Sequence, residues 1–136
     1  MALRGVGTIF SIGDGATPEV FTAVAGVQTI NGPTGSAEQI DVSSLDSTGS
    51  YREFLAGFKD AGEVSFSIWL DPADRGGLDT LYESGATNNF RITFPDTGST
   101  TLTFAGAVTG FQIGIPTEGA ITADTVIKVS GQPTWA

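Results

Sequence analysis

Ser36-Ala-Glu-Gln-Ile-Asp-Val-Ser-Ser-Leu45 and Glu63-Val-Ser-Phe-Ser-Ile-Trp-Leu70 bracket Asp46-Ser-Thr-Gly-Ser-Tyr-Arg-Glu-Phe-Leu-Ala-Gly-Phe-Lys-Asp-Ala-Gly62. The second run alternates cleanly: Val64, Phe66, Ile68 and Leu70 share one face, and Glu63, Ser65, Ser67 and Trp69 share the other. That period of two predicts a strand with one face in a core. The first run alternates as Ile40 and Val42 against Gln39, Asp41 and Ser43, which predicts a second half-buried strand. The excursion between them is far longer than the two to five residues a hairpin needs, so it reads as a long projecting loop over about residues 46–62.

Tyr51, Phe54, Leu55 and Phe58 set the character of that loop. A solvated linker carries less apolar surface, which argues against disorder. A segment so short of core neighbours cannot bury four large side chains by itself. It reads as an arm to be covered by another chain; the alternative is a lid folded back on its own sheet.

Outward from this stretch the chain is β-rich. Thr8 to Ile12 and residues 19–31 are strand candidates, separated by a dense turn signal at Gly13-Asp-Gly-Ala-Thr-Pro18. Gly26 falls where a bulge or the close approach of another backbone is expected. After Leu70, Asp71 as cap, Pro72 at the first helical position, Asp74 in the first turn and the stripe Leu78, Leu81, Tyr82 predict one short flanking α-helix over about 72–84, with Gly85 as terminator. Gly76 and Gly77 weaken that helix by up to about 1 kcal/mol each relative to Ala, so it must lean on the sheet.

Strands follow at Asn89 to Phe94, Ser99 to Ile115 and Ile121 to Val129, and Gln132 to Ala136 reads as a tail. In the second of these, Leu102, Phe104 and Val108 have one parity and Phe111, Ile113 and Ile115 the other. The register therefore flips between Val108 and Phe111, at a bulge eased by Gly110. The fold class is mainly β, sandwich- or barrel-like, as a single domain over 1–136. At 136 residues such a chain buries about two-thirds of its unfolded surface without staples.

Composition narrows the chemistry. The chain has neither His nor Cys, which removes His-based triads, thiol nucleophiles and typical zinc sites. Fifteen acidic residues spread over turns and strand edges single out no catalytic pair. Asp71 and Asp74 surround Pro72 as caps rather than as a calcium loop. Arg75-Gly-Gly77 is a single tripeptide, and Gly5-Val-Gly7 and Gly13-Asp-Gly15 lack the Gly-Lys-Ser/Thr ending of a phosphate loop. No catalytic residue, metal site or cofactor is expected. A net charge of -9 opposes a nucleic-acid-gripping role. No apolar run reaches membrane-spanning length, and residues 1–7 lack the apolar core of a signal peptide.

One family has this order of features. Ser44-Leu-Asp-Ser-Thr48, then Tyr51-Arg-Glu-Phe54 and Gly57-Phe-Lys-Asp60, a Glu-Val-Ser-Phe-Ser strand and an aspartate-led helix resemble the major tail tube protein of long-tailed, siphovirus-type bacteriophages. The resemblance covers nearly the whole chain. It implies a tail tube fold and a structural virion protein, assembled in the host cytoplasm, whose hexameric rings stack into a conduit for the genome. The implied partners are other copies of the chain, tail terminator, tape measure and distal tail proteins, and double-stranded DNA in transit, with no membrane partner. The arm residues Ser47, Thr48, Tyr51, Arg52, Phe54, Leu55, Phe58 and Lys59 would then meet an adjacent subunit or ring. Asp41, Glu63 and Asp124, on the polar sides of their strands, are the candidates for the lumen wall, with Lys128 on the same face as Asp124 to oppose or pair with it. Two other classes fit the residues: a β-sandwich carbohydrate or adhesion module, and a non-extending tail terminator or hub of the same fold.

Overall fold

The computed structural model describes residues 2–15, 18–73 and 77–136. Seven antiparallel strands make the main sheet: β1 (Ile9–Gly13), β2 (Phe21–Ala23), β3 (Val27–Asn31), β6 (Glu63–Trp69), β7 (Asn88–Thr93), β8 (Thr101–Gly114) and β9 (Thr122–Trp135). Their order is β2-β1-β7-β8-β9-β6-β3. A separate two-stranded sheet pairs β4 (Ser36–Asp41) with β5 (Phe54–Asp60).

The main sheet curls until its ends nearly meet. β2 and β3 lie at opposite edges, yet only residues 24–26 separate them in sequence. Four Cα steps span at most about 14 Å, so the two edges converge at that corner. Phe10 of β1 packs on Phe66 of β6 with ring centroids 4.3 Å apart, although three strands separate β1 from β6 around the sheet. Phe90 and Phe104 stack beside them at 5.7 Å. Val64, Ile68, Ile127 and Val129 fill the rest of the core, each on the inward parity of its strand. The curl encloses the core as a barrel does, while β2 and β3 stay the two unpaired ends of the sheet.

The strand expected over residues 19–31 is thus two strands on opposite edges. The break falls at Gly26, whose φ of +74° is left-handed and whose missing Cβ would sit 3.2 Å from the Trp69 carbonyl oxygen. The Gly26 carbonyl accepts the Trp69 N–H at 2.8 Å, the close backbone approach expected there. The register shift of β8 against β9 also falls as read, between Val108 and Gly110.

Two other expectations are corrected. The helix α1 spans Leu78–Ser84, capped by Gly77 and Gly85, both left-handed, and not 72–84. Asp71 caps no helix; its Oδ1 accepts the Ala73 N–H at 3.0 Å in a local turn. Asp74, Arg75 and Gly76 lie outside the described residues. Leu78 is fully buried, Leu81 packs on the core and Tyr82 stays exposed, so two of the three stripe residues hold α1 against the barrel. The supposed tail is strand: β9 runs on to Trp135, opposite Leu102, where the indole stacks on Phe94 at 5.6 Å.

Candidate assembly arm

β3 and β6 are neighbours in the main sheet, and the chain that joins them, residues 32–62, carries the β4–β5 hairpin. The arm is therefore an insertion into what would otherwise be a simple hairpin connection. The irregular loop expected at 46–62 is instead ordered, with a 3-10 turn at Thr48–Ser50 and a strand at Phe54–Asp60. Asp41 pairs with Phe54, Ile40 with Leu55 and Gln39 with Ala56, and a bulge then brings Ala37 opposite Lys59. β4 is not the half-buried strand its alternation suggests: every residue of it is exposed.

The tip is held by its own polar groups. Ser43 Oγ accepts the Glu53 N–H at 2.7 Å, and Val42 N–H donates to the Glu53 carbonyl at 2.9 Å. Ser47 Oγ accepts the Ser44 N–H at 3.0 Å and donates to the Glu53 carboxylate at 3.3 Å, while the Ser44 hydroxyl donates to Asp46. Gly49 and Ser50 both adopt left-handed φ to turn the chain. Arg52 Nη1 meets Asp41 Oδ2 at 3.0 Å. The Asp41 carboxyl is held below the usual range, first by the Ser43 N–H, then by the Ser43 hydroxyl and Arg52.

A clamp ties the root of the arm to the barrel. Lys128 Nζ of β9 reaches both oxygens of Asp60, at 2.9 and 3.1 Å, and lowers that carboxyl's pKa, with the Gly62 N–H a second cause. Lys128 thus engages the arm rather than Asp124. Val129 N–H donates to the Gly62 carbonyl at 3.0 Å, and Glu63 N–H to Thr34 Oγ1 at 3.2 Å. Beside this root lies a cavity of about 710 Å³ between Ser36, Ala37 and Asp60 of the arm and Gly131 to Pro133 of β9.

Apolar side chains on the hairpin stand largely in solvent. Phe58 is 90% exposed, Tyr51 79%, Leu55 58% and Phe54 53%. Ile40, Val42 and Leu45 are exposed too. Ile40 and Val42 were missed because their alternation suits a strand packed on a core, and they are exposed here. The arm residues Ser47, Thr48, Tyr51, Arg52, Phe54, Leu55, Phe58 and Lys59 all fall on this one hairpin and its tip.

The three acidic candidates do not share a surface. Asp41 belongs to the arm. Glu63 and Asp124 lie on the outward parity of β6 and β9, where Glu63 pairs with Lys128 and Asp124 with Ser67 and Gln112. The Ser67 hydroxyl donates to Asp124. Among the described residues, no cluster of acidic side chains could hold a metal ion, and no helix is long and apolar enough to cross a membrane.

A nearly closed barrel with an apolar hairpin projecting from one connection is the architecture of the tail tube class. Solved structures of that class share the fold. The tail of an empty gene transfer agent particle, refined with C6 symmetry, superposes with a TM-score of 0.81 at 22% identity, over 99% of each chain. The sheath/tube terminator of an extracellular contractile injection system matches at 0.78 and 9% identity, over 100% of this chain and 97% of the other. The SPP1 tail tube matches at 0.73 and 14% identity, over 98% and 78%. No curated protein sequence matches. The chain belongs to the lambda phage tail tube protein family, whose model matches residues 5–136. It is a structural protein of the virion tail and not an enzyme.

Proposed function

We propose that this chain forms hexameric rings that stack into the tail tube, with the β4–β5 arm gripping an adjacent copy. The observation that carries this is the arm itself, an ordered hairpin with Tyr51, Phe54, Leu55 and Phe58 all more than half exposed. Burying a large apolar side chain contributes about 1.5–3 kcal/mol, so covering several of these is strongly favourable. The lid alternative loses support, because in a lid these side chains would lie against the sheet.

The bore of such a tube would serve as a conduit for double-stranded DNA. Glu63 and Asp124, with the hydroxyls of Ser65 and Ser67 beside them, offer phosphates repulsion and no cationic trap. Lys128, on the same side, is neutralised by Asp60. Asp41 sits on the arm and is neutralised by Arg52, which makes it the weakest of the three lumen candidates. Terminator, tape measure and distal tail proteins would meet the ends and bore of the tube.

Phe54→Asp and Phe58→Asp, made separately, should each give a folded protein with unchanged circular dichroism that no longer polymerises. Negative-stain microscopy at high concentration is the readout, with the unsubstituted chain expected to form long tubes. Full-length tubes from either variant would show that the arm is misassigned. Single rings that never extend, from the unsubstituted chain, would point to a terminator, and a persistent monomer that retains glycans would point to a binding module.

A further inference from the structure

Ile113, Ile115 and Ile121 carry the core-facing stripe of β8 and β9 beyond the mouth of the barrel. Ile113 pairs with Ala123, the last fully buried residue of β9 at that end. Ile115 and Ile121 flank the last pair of the ladder, Gly114 opposite Thr122, each one residue beyond it. Leu70 continues this surface from β6, its N–H donating to the Ile121 carbonyl at 2.9 Å. Where a core would follow there is solvent: Ile115 is 75% exposed, and Ile113 and Ile121 are exposed as well.

We infer that this overhang is the seat for the arm of a second copy of the chain. The inference rests on the arm reading proposed above and names the surface that receives it. Position is the first reason. The arm leaves the barrel at Gly62, bonded to Val129, and the overhang begins at Thr122, seven residues away along β9. At about 3.3 Å per residue that is roughly 23 Å, so the two apolar surfaces sit at opposite ends of the same strands. A surface at one end that fits a different surface at the other makes a head-to-tail contact, which repeats without closing and grows as a filament.

Chemistry is the second reason. The seat is aliphatic, and the arm brings Phe54 and Phe58, aromatic anchors of the kind that dominate interfaces when a pocket receives them. Charge is the third. The charged residues flanking the seat, Asp71, Glu118 and Asp124, are all acidic, and residues 66–73 and 110–124 contain no Lys or Arg. The arm, acidic over its whole length, presents an exposed Lys59 directly after Phe58, so the cation it offers lies beside the aromatic anchor.

The chain has no cysteine, so an introduced thiol is unique. Separate Phe54→Cys and Phe58→Cys chains are each mixed with an Ile115→Cys chain of different tag length, assembled and mildly oxidised. Disulfide heterodimers should exceed either homodimer at least tenfold on non-reducing gels for one or both arm variants. Arm-to-arm homodimers alone, or tubes without heterodimers, would overturn the proposal. In parallel, Ile115→Asp should keep its melting temperature, since the side chain is exposed beyond the ladder, yet lose tube growth. Tubes from Ile115→Asp but none from Phe58→Asp would place the seat elsewhere and leave the arm reading intact. Tubes from both would sink the arm reading itself.

Discussion

Gly62 turns the chain out of the arm with φ +78°, and a Cβ there would lie 2.2 Å from the Thr34 carbonyl oxygen. Gly85 has a similar φ, +64°, but open space around it. Both substitutions to Ala pay for left-handed backbone, about 1 kcal/mol, and only Gly62→Ala adds a clash with main chain. In urea titrations Gly62→Ala should therefore cost about 1–3 kcal/mol more than Gly85→Ala; equal losses would mean that Thr34 yields freely. Thr125 makes the opposite case. It is fully buried between Phe66 and Phe111 in the ladder, and its Oγ1 finds no hydrogen-bond partner among the described residues. Thr125→Val keeps the shape and removes an orphaned hydroxyl, which should stabilise by about 1 kcal/mol and raise the melting temperature by about 3–5 °C. A lower melting temperature in calorimetry would show that the hydroxyl is satisfied in solution.

The arm behaves as an element because its root is clamped. Lys128 holds Asp60 ionised, so the folded carboxyl titrates below the ordinary 3.8. The clamp is fully present above that ordinary value and is lost as pH falls through the lowered one. Carbon-13 NMR of the Asp60 carboxyl should report this depressed midpoint, and Lys128→Met should return it toward 3.8, leaving only the Gly62 N–H to lower it. An unchanged midpoint in Lys128→Met would show that the ion pair does not form in solution. The sequence disclosed this element unevenly. Strands with one face in the core, such as β6 and β7, were readable because alternation reports burial. β4 alternates just as well, yet nothing covers it, since periodicity records two faces and not what lies against them. The excess of Phe, Tyr and Leu over 51–58 stands out against any solvated loop, and the structure leaves those side chains exposed. The strand within it was hidden because Phe54 to Asp60 is apolar on both faces. The overhang escaped notice for the converse reason: Ile113, Ile115 and Ile121 continue a core pattern past the point where the core ends. The helix start was misplaced because Asp71 and Pro72 form a turn of their own, six residues before Leu78.

For the whole molecule, the question is which force drives copies together. Each chain carries -9, so a ring of six would carry -54, and every approach between copies meets long-range repulsion. In the proposed assembly, attraction comes from the arm and the overhang, whose apolar burial acts only at contact and is not screened by salt. Raising ionic strength from about 0.01 to 0.15 M shortens the screening length from about 30 to 8 Å, which removes most of the repulsion and little of the attraction. Assembly should therefore become faster, and its critical concentration lower, as sodium chloride rises across that range. The Asp60–Lys128 and Asp41–Arg52 pairs weaken under the same conditions, but both lie in solvent, where screening already leaves them little weight, so they do not reverse the trend. Light scattering at several salt concentrations measures the rate, and sedimentation of the polymer gives the critical concentration. A critical concentration that rises with salt would mean that opposite charges, not the apolar arm, hold one copy to the next.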